Sequence, residues 1–139
     1  MKVLFVCRHS VGRSQIAKAY YNALTNSNDA EAAGTHVAEK GQTLLQREKV
    51  SPTKKFFLLE VMKDAGIDIS DYQRIPLQHS DIDTYDVIID MGDKRDTPDW
   101  LLESPKYIHW DVKDPRNQDY EVVAEIRDEI KSRVENFIR

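Results

Sequence analysis

The run Val3 to Ser14, VLFVCRHSVGRS, decides the reading of the chain. Val3 to Val6 is a continuous apolar run, of the kind used by a strand buried on both faces of a parallel sheet. The only cysteine of the protein, Cys7, stands at its end. Gly12, Arg13 and Ser14 then lead into Gln15 to Leu24, where Ile16, Ala19, Tyr20, Ala23 and Leu24 recur at helical spacing. Ser14 is expected to cap that helix. A strand, a thiol, the polar turn RHSVG and a helix follow one another without a gap.

The same alternation continues along the chain. Ala30 to Gly34 reads as a second short strand ending at a glycine, and His36 to Val50 as a polar stretch holding at most a short helix. Ser51-Pro52 reads as the cap and first residue of a helix continued by Phe57, Leu58, Val61, Met62 and Ala65, which Gly66 stops. Tyr85 to Met91 (YDVIIDM) and Tyr107 to Trp110 (YIHW) read as two further strands. Tyr120 to Arg139 is a long helix with Val123, Ile126, Ile130, Val134 and Phe137 spaced by three and four. Strands alternating with helices predict an α/β fold, a parallel sheet with helices on both faces. A chain of 139 residues without linker, repeat or low-complexity segment is expected to form one domain over residues 1–139.

Composition narrows the function. The net charge of −4 lacks the basic excess of a nucleic-acid binder. No apolar run is long enough to span a membrane, and Arg8 and His9 interrupt the only candidate signal segment. A cytoplasmic protein is therefore expected. A single cysteine allows no internal disulfide and no cysteine-based structural zinc site. Cys7 must be either a core residue or a reactive thiol.

The loop chemistry favours the second. Ligands of open α/β sheets bind beyond the carboxyl ends of the strands, where Cys7 lies. The loop Arg8, His9, Ser10, Val11 and Gly12 can present backbone N–H groups to a tetrahedral anion, and the helix that follows adds its positive end. Arg13 offers a planar fork for two oxygens of an oxyanion. The same positive field favours the thiolate form of Cys7, and the Ser14 hydroxyl could donate to it. With nine arginines in 139 residues, an Arg six positions after a cysteine arises by chance about one time in fifteen, so spacing alone is weak. A strand before and a helix after make it specific. A plain buried cysteine would leave the polar RHS unexplained.

The pattern V-C-x5-R-S-Q-x-A resembles the opening of the low-molecular-weight protein tyrosine phosphatases and of the arsenate reductases that share their fold. Ala33-Gly34, Gly66-Ile67-Asp68-Ile69-Ser70, Asp86-Val87-Ile88-Ile89 and His109-Trp110 with Asp114-Pro115 extend the resemblance over most of the chain. It implies a three-layer αβα fold with a four-stranded parallel sheet. It also implies a catalytic set of Cys7, Arg13 and Asp114, with Arg8, His9, Ser10, Val11, Gly12 and Ser14 around the bound oxyanion. Asp114 would be the proton donor, since proline holds the preceding residue extended and so fixes its direction. Asp111 is the nearby competitor. No metal or cofactor is required by this reading.

The expected activity is hydrolysis of phosphate monoesters, phosphotyrosine-type, through a phosphocysteine. The substrate would be a phosphorylated protein or a small phosphate ester. Arsenate reduction is the alternative. The segment Met91 to Pro98, where related reductases carry two more cysteines, has none, so an external thiol or glutaredoxin would have to resolve the Cys7 adduct. An oxyanion-binding module without turnover ranks third, because Cys7, Arg13 and an acid are all present. Three departures from the family stand out. Arg116 and Asn117 follow Asp114-Pro115, where tyrosine phosphatases carry aromatic residues. Ser10 replaces a bracing Asn. Lys18 replaces a Glu and is read as a solvated helix charge.

Overall fold

The computed structural model describes residues 1–139. The strands are β1 (Val3–Cys7), β2 (Ala30–Gly34), β3 (Val87–Asp90) and β4 (Tyr107–His109). They form one parallel sheet in the order β2-β1-β3-β4. Between them run α1 (Arg13–Thr25), α2 (Leu44–Lys49), α3 (Leu58–Asp64), α4 (Asp81–Thr84) and α5 (Asp99–Leu102), with α6 (Tyr120–Ile138) closing the chain.

Residues of a strand alternate between faces, and β1 shows what that does here. Val3 and Phe5 join Ile16, Ala19 and Tyr20 of α1, Met62 of α3 and Ile126, Ile130 and Val134 of α6 in the larger core. Leu4 and Val6 point the other way, onto Ala33, Ile88 and Leu101, with Ile82 and Trp100 packed against them. The sheet is thus covered on both sides, the three-layer arrangement expected. β1 is fully interior, which is why its sequence is apolar without alternation.

Several boundaries depart from expectation. Ser14 does not cap α1: the helix starts two residues earlier than such a cap would set it, Gly12 holds the cap position, and no side chain caps it. Ser51-Pro52 does not start a helix either. Residues 51–57 run as an irregular, bent loop, and α3 begins only at Leu58. The strands of YDVIIDM and YIHW are shorter than read, because β3 pairs only over Val87–Asp90 and β4 over Tyr107–His109. The ambiguous stretch after β2 contains α2, which Thr43 and Gln46 start with a reciprocal capping box. Lys18 is not a free solvated charge. Its ammonium pairs with Glu31 at 2.8 Å and lies over the Tyr72 ring. No helix is long and apolar enough to cross a membrane.

Candidate active site

β1 delivers Cys7 to the carboxyl edge of the sheet between β2 and β3, its backbone paired with Gly34 on one side. The thiol is 3% exposed. The Ser14 hydroxyl lies 3.1 Å from its sulfur, a contact available because α1 starts at Arg13 and turns Ser14 back toward the strand end. The backbone N–H groups from Arg8 to Ser14 find no acceptor within the protein. Unpaired main-chain donors in a row are costly unless they serve something. Beside a thiol, such a row of donors is suited to receiving an oxyanion.

Arg13 is buried and rigidly held. One terminal nitrogen donates to the Met91 carbonyl at 2.6 Å and to the Val112 carbonyl at 3.1 Å. Its other terminal nitrogen stands 3.8 Å from a carboxylate oxygen of Asp114. Asp114 is half-exposed, and its second oxygen accepts the Arg116 N–H at 3.0 Å. One pocket collects Cys7, Arg8, His9, Val11, Gly12, Arg13 and Asp114. Asp111, the competing acid, is exposed outside it and uses its carbonyl to hold Arg133.

Ser10 and Ser14 do not line that pocket; both are fully buried behind the loop. Ser10 adopts φ = 54°, the left-handed region that costs an ordinary side chain. Gln15 steadies it, its side-chain amide donating to the Ser10 carbonyl at 2.9 Å and hydroxyl at 3.2 Å. The brace that a longer side chain would supply at position 10 therefore comes from the helix.

Three contributors, Arg74, Phe56 and Phe57, are not legible as such in the sequence, while Arg47 falls in the stretch Gln42 to Pro52, whose length and charge suit it to a pocket wall. Arg74, 6% exposed, donates from Nε to the His9 carbonyl at 3.0 Å and from a terminal nitrogen to Gln42 at 2.8 Å. Burial lowers the pKa of its guanidinium from the ordinary value, repulsion from Arg47 adds to this, and Glu39 and Cys7 oppose it. Arg47 on α2 and the pair Phe56 and Phe57 before α3 also line the pocket. The aromatic wall absent after Asp114-Pro115 thus comes from a different segment. Two adjacent phenylalanines are the available signal, but Phe57 reads as a core residue of a helix, which gives no hint of exposure to a ligand. No group of three or more His, Cys, Asp or Glu side chains is arranged to hold a metal ion.

A thiol-centred anion loop at the carboxyl edge of a four-stranded αβα sheet defines the class of phosphatase-like α/β enzymes. The chain belongs to the low molecular weight phosphotyrosine protein phosphatase family, whose model matches residues 2–139. It is 32% identical to a glutaredoxin arsenate reductase from Synechocystis sp., over 99% of this chain and 95% of that protein. Among solved structures it resembles an arsenate reductase in the phosphate binding state, at 28% identity and a TM-score of 0.77, over 99% of this chain and 97% of the other. The fold also matches the low molecular weight protein tyrosine phosphatase of T. tengcongensis, at 24% identity and a TM-score of 0.79, over 99% and 97% of the two chains.

Proposed function

We propose that the protein hydrolyses aryl phosphate monoesters of the phosphotyrosine type, with Cys7 as nucleophile and Asp114 as proton donor. The observation that carries this reading is that Phe56 and Phe57 share one pocket with Cys7 and Asp114. An apolar wall serves an organic leaving group, whereas a bare oxyanion has no ring to lay against it.

The thiolate of Cys7 attacks phosphorus in line with the ester oxygen. The S–P bond forms as the P–O bond breaks, and Asp114 gives its proton to the departing phenoxide. Arg13 and the loop N–H groups hold the equatorial oxygens, whose charge develops in the transition state. The Met91 and Val112 carbonyls engage only one nitrogen of Arg13, so Nε and the second terminal nitrogen, which faces Asp114 at 3.8 Å without a hydrogen bond, remain for that task. Water then attacks phosphorus, the Asp114 carboxylate takes its proton, and Cys7 leaves as thiolate with phosphate.

A second reading rests on the 32% identity to the glutaredoxin arsenate reductase. Here Cys7 displaces hydroxide from arsenate to form an S–As bond. An external thiol attacks the Cys7 sulfur, arsenic leaves with the electron pair as arsenite, and a mixed disulfide remains. The absence of a second cysteine makes that thiol obligatory.

Turnover of para-nitrophenyl phosphate by wild type, Cys7→Ser and Asp114→Asn tests the choice. Loss in the first variant and a fall of about 100-fold or more in the second are expected. Arsenate reduction with glutaredoxin, thioredoxin or free thiols, without any ester hydrolysis, would overturn the phosphatase reading in favour of the second.

A further inference from the structure

The pocket around Cys7 is cationic beyond what one phosphate requires. Of its positive side chains, three have carboxylate partners: Arg13 with Asp114 at 3.8 Å, Arg8 with Asp96 at 2.9 Å and Lys55 with Asp119 at 2.7 Å. Arg47 and Arg116 line the same pocket and have none within ion-pair distance. They come from separate elements, α2 and the loop after Asp114, yet line one concavity. Partial burial pushes the Arg47 guanidinium down, and Arg116 pushes it further against a weaker pull from Glu39. His9 feels the same field, since Arg116 and Arg74 both disfavour its charged form. The protein carries a net charge of −4, so it does not lack carboxylates to neutralise these two. Two unpaired guanidiniums converging on one concavity form a site for an anion.

We infer that Arg47 and Arg116 bind a second negative group on the substrate, so that the preferred ester is a phosphotyrosine-like aryl phosphate with a carboxylate close to the ring, as in an acidic peptide. This rests on reading the Cys7 loop as a phosphate-ester site. Phosphate is held by the loop and Arg13, the ring lies along Phe56 and Phe57, and the flanking carboxylate meets the two arginines at the rim. Because these guanidiniums are only partly shielded or exposed, the selectivity is sensitive to salt.

Binding separates this from the question of turnover. Two non-hydrolysable peptides carry phosphonomethylphenylalanine flanked either by Glu or by Gln. Their affinities are measured by calorimetry at low and at physiological salt. Wild type is expected to bind the Glu peptide about tenfold more tightly than the Gln peptide at low salt, and less selectively as salt rises. In Arg47→Gln/Arg116→Gln that ratio is expected to collapse to about one. Equal affinities in wild type, or an undiminished ratio in the double variant, would overturn the inference. If the ratio behaves as expected while para-nitrophenyl phosphate is not hydrolysed, the phosphatase reading fails and the second-anion site stands.

Discussion

The Ser14 hydroxyl stands 3.1 Å from the Cys7 sulfur, with both side chains buried. A hydroxyl so placed donates to a thiolate and stabilises it, and hydrogen bonds to charged groups contribute about 1.5–3 kcal/mol. Ser14→Ala should therefore slow iodoacetamide alkylation of Cys7 at neutral pH by about tenfold, read by mass spectrometry. An unchanged rate would reduce Ser14 to packing.

The loop that carries Asp114 rests against Gly12. A Cβ added there would lie 2.8 Å from Cγ and 3.4 Å from Cδ of Pro115. That contact with the proline ring makes alanine unwelcome. Gly12→Ala should displace the Asp114 loop and lower ester turnover by about tenfold, while Cys7 alkylates at its normal rate. Pro115→Ala in the same chain should recover most of the loss. Turnover untouched by the single substitution would mean that the proline ring simply yields.

His9 supplies a pH dependence. Burial holds the imidazole below its ordinary 6.5; the bond to the His36 carbonyl opposes this, and repulsion from Arg8, Arg116 and Arg74 adds to it. A folded value below the unfolded one means that the unfolded chain binds more protons in that window. Stability contributed by neutral His9 is thus complete above 6.5 and declines as pH falls below it. The His9 ring should titrate below 6.5 by NMR. His9→Asn should lose less stability than wild type on acidification through that window. A midpoint at or above 6.5 would contradict the described environment.

Asp90 anchors the strand end beside the site. Fully buried, it accepts the Gly92 N–H at 2.9 Å, the Thr97 hydroxyl at 2.6 Å and the Tyr107 hydroxyl at 2.9 Å. Burial first, then the Asp90 charge, drives the Tyr107 phenol well above its ordinary range. Asp90→Ala strands all three donors and should cost about 3 kcal/mol in chemical denaturation. It should also loosen Arg13, which depends on the neighbouring Met91 carbonyl. A loss under about 1 kcal/mol would mean that water replaces the carboxylate.

The parts of this molecule legible in its sequence are those where local pattern and tertiary role agree. Val3 to Cys7 is apolar because it is interior on both faces, and α6 repeats its apolar residues because only one stripe meets the core. Cys7 and Arg13 are legible from a strand end followed by a helix and Asp114 from the family resemblance, and the three share one pocket. The misread residues serve partners distant in sequence. Ser14 resembles a cap but faces a sulfur seven residues back. Phe57 looks like helix core but lines the pocket beside Phe56, because residues 51–57 are held as a loop along it. Arg74 braces a carbonyl 65 residues away, a relation no local period encodes.

Gly34, at the end of β2, approaches the Cys7 loop so closely that a Cβ would fall 2.7 Å from the Ser10 nitrogen and 2.8 Å from the Arg8 carbonyl oxygen. The Thr35 and His36 N–H groups bond the Cys7 and Arg8 carbonyls from the same side. Backbone meets backbone with no side chain between them, and Arg74 and Gln15 hold the rest of the turn. The entropic cost of ordering this loop is therefore met when the chain folds, not when an anion arrives. On the proposed reading, an incoming oxyanion would find a finished mould and keep its binding free energy for stabilising the charge that grows during the reaction.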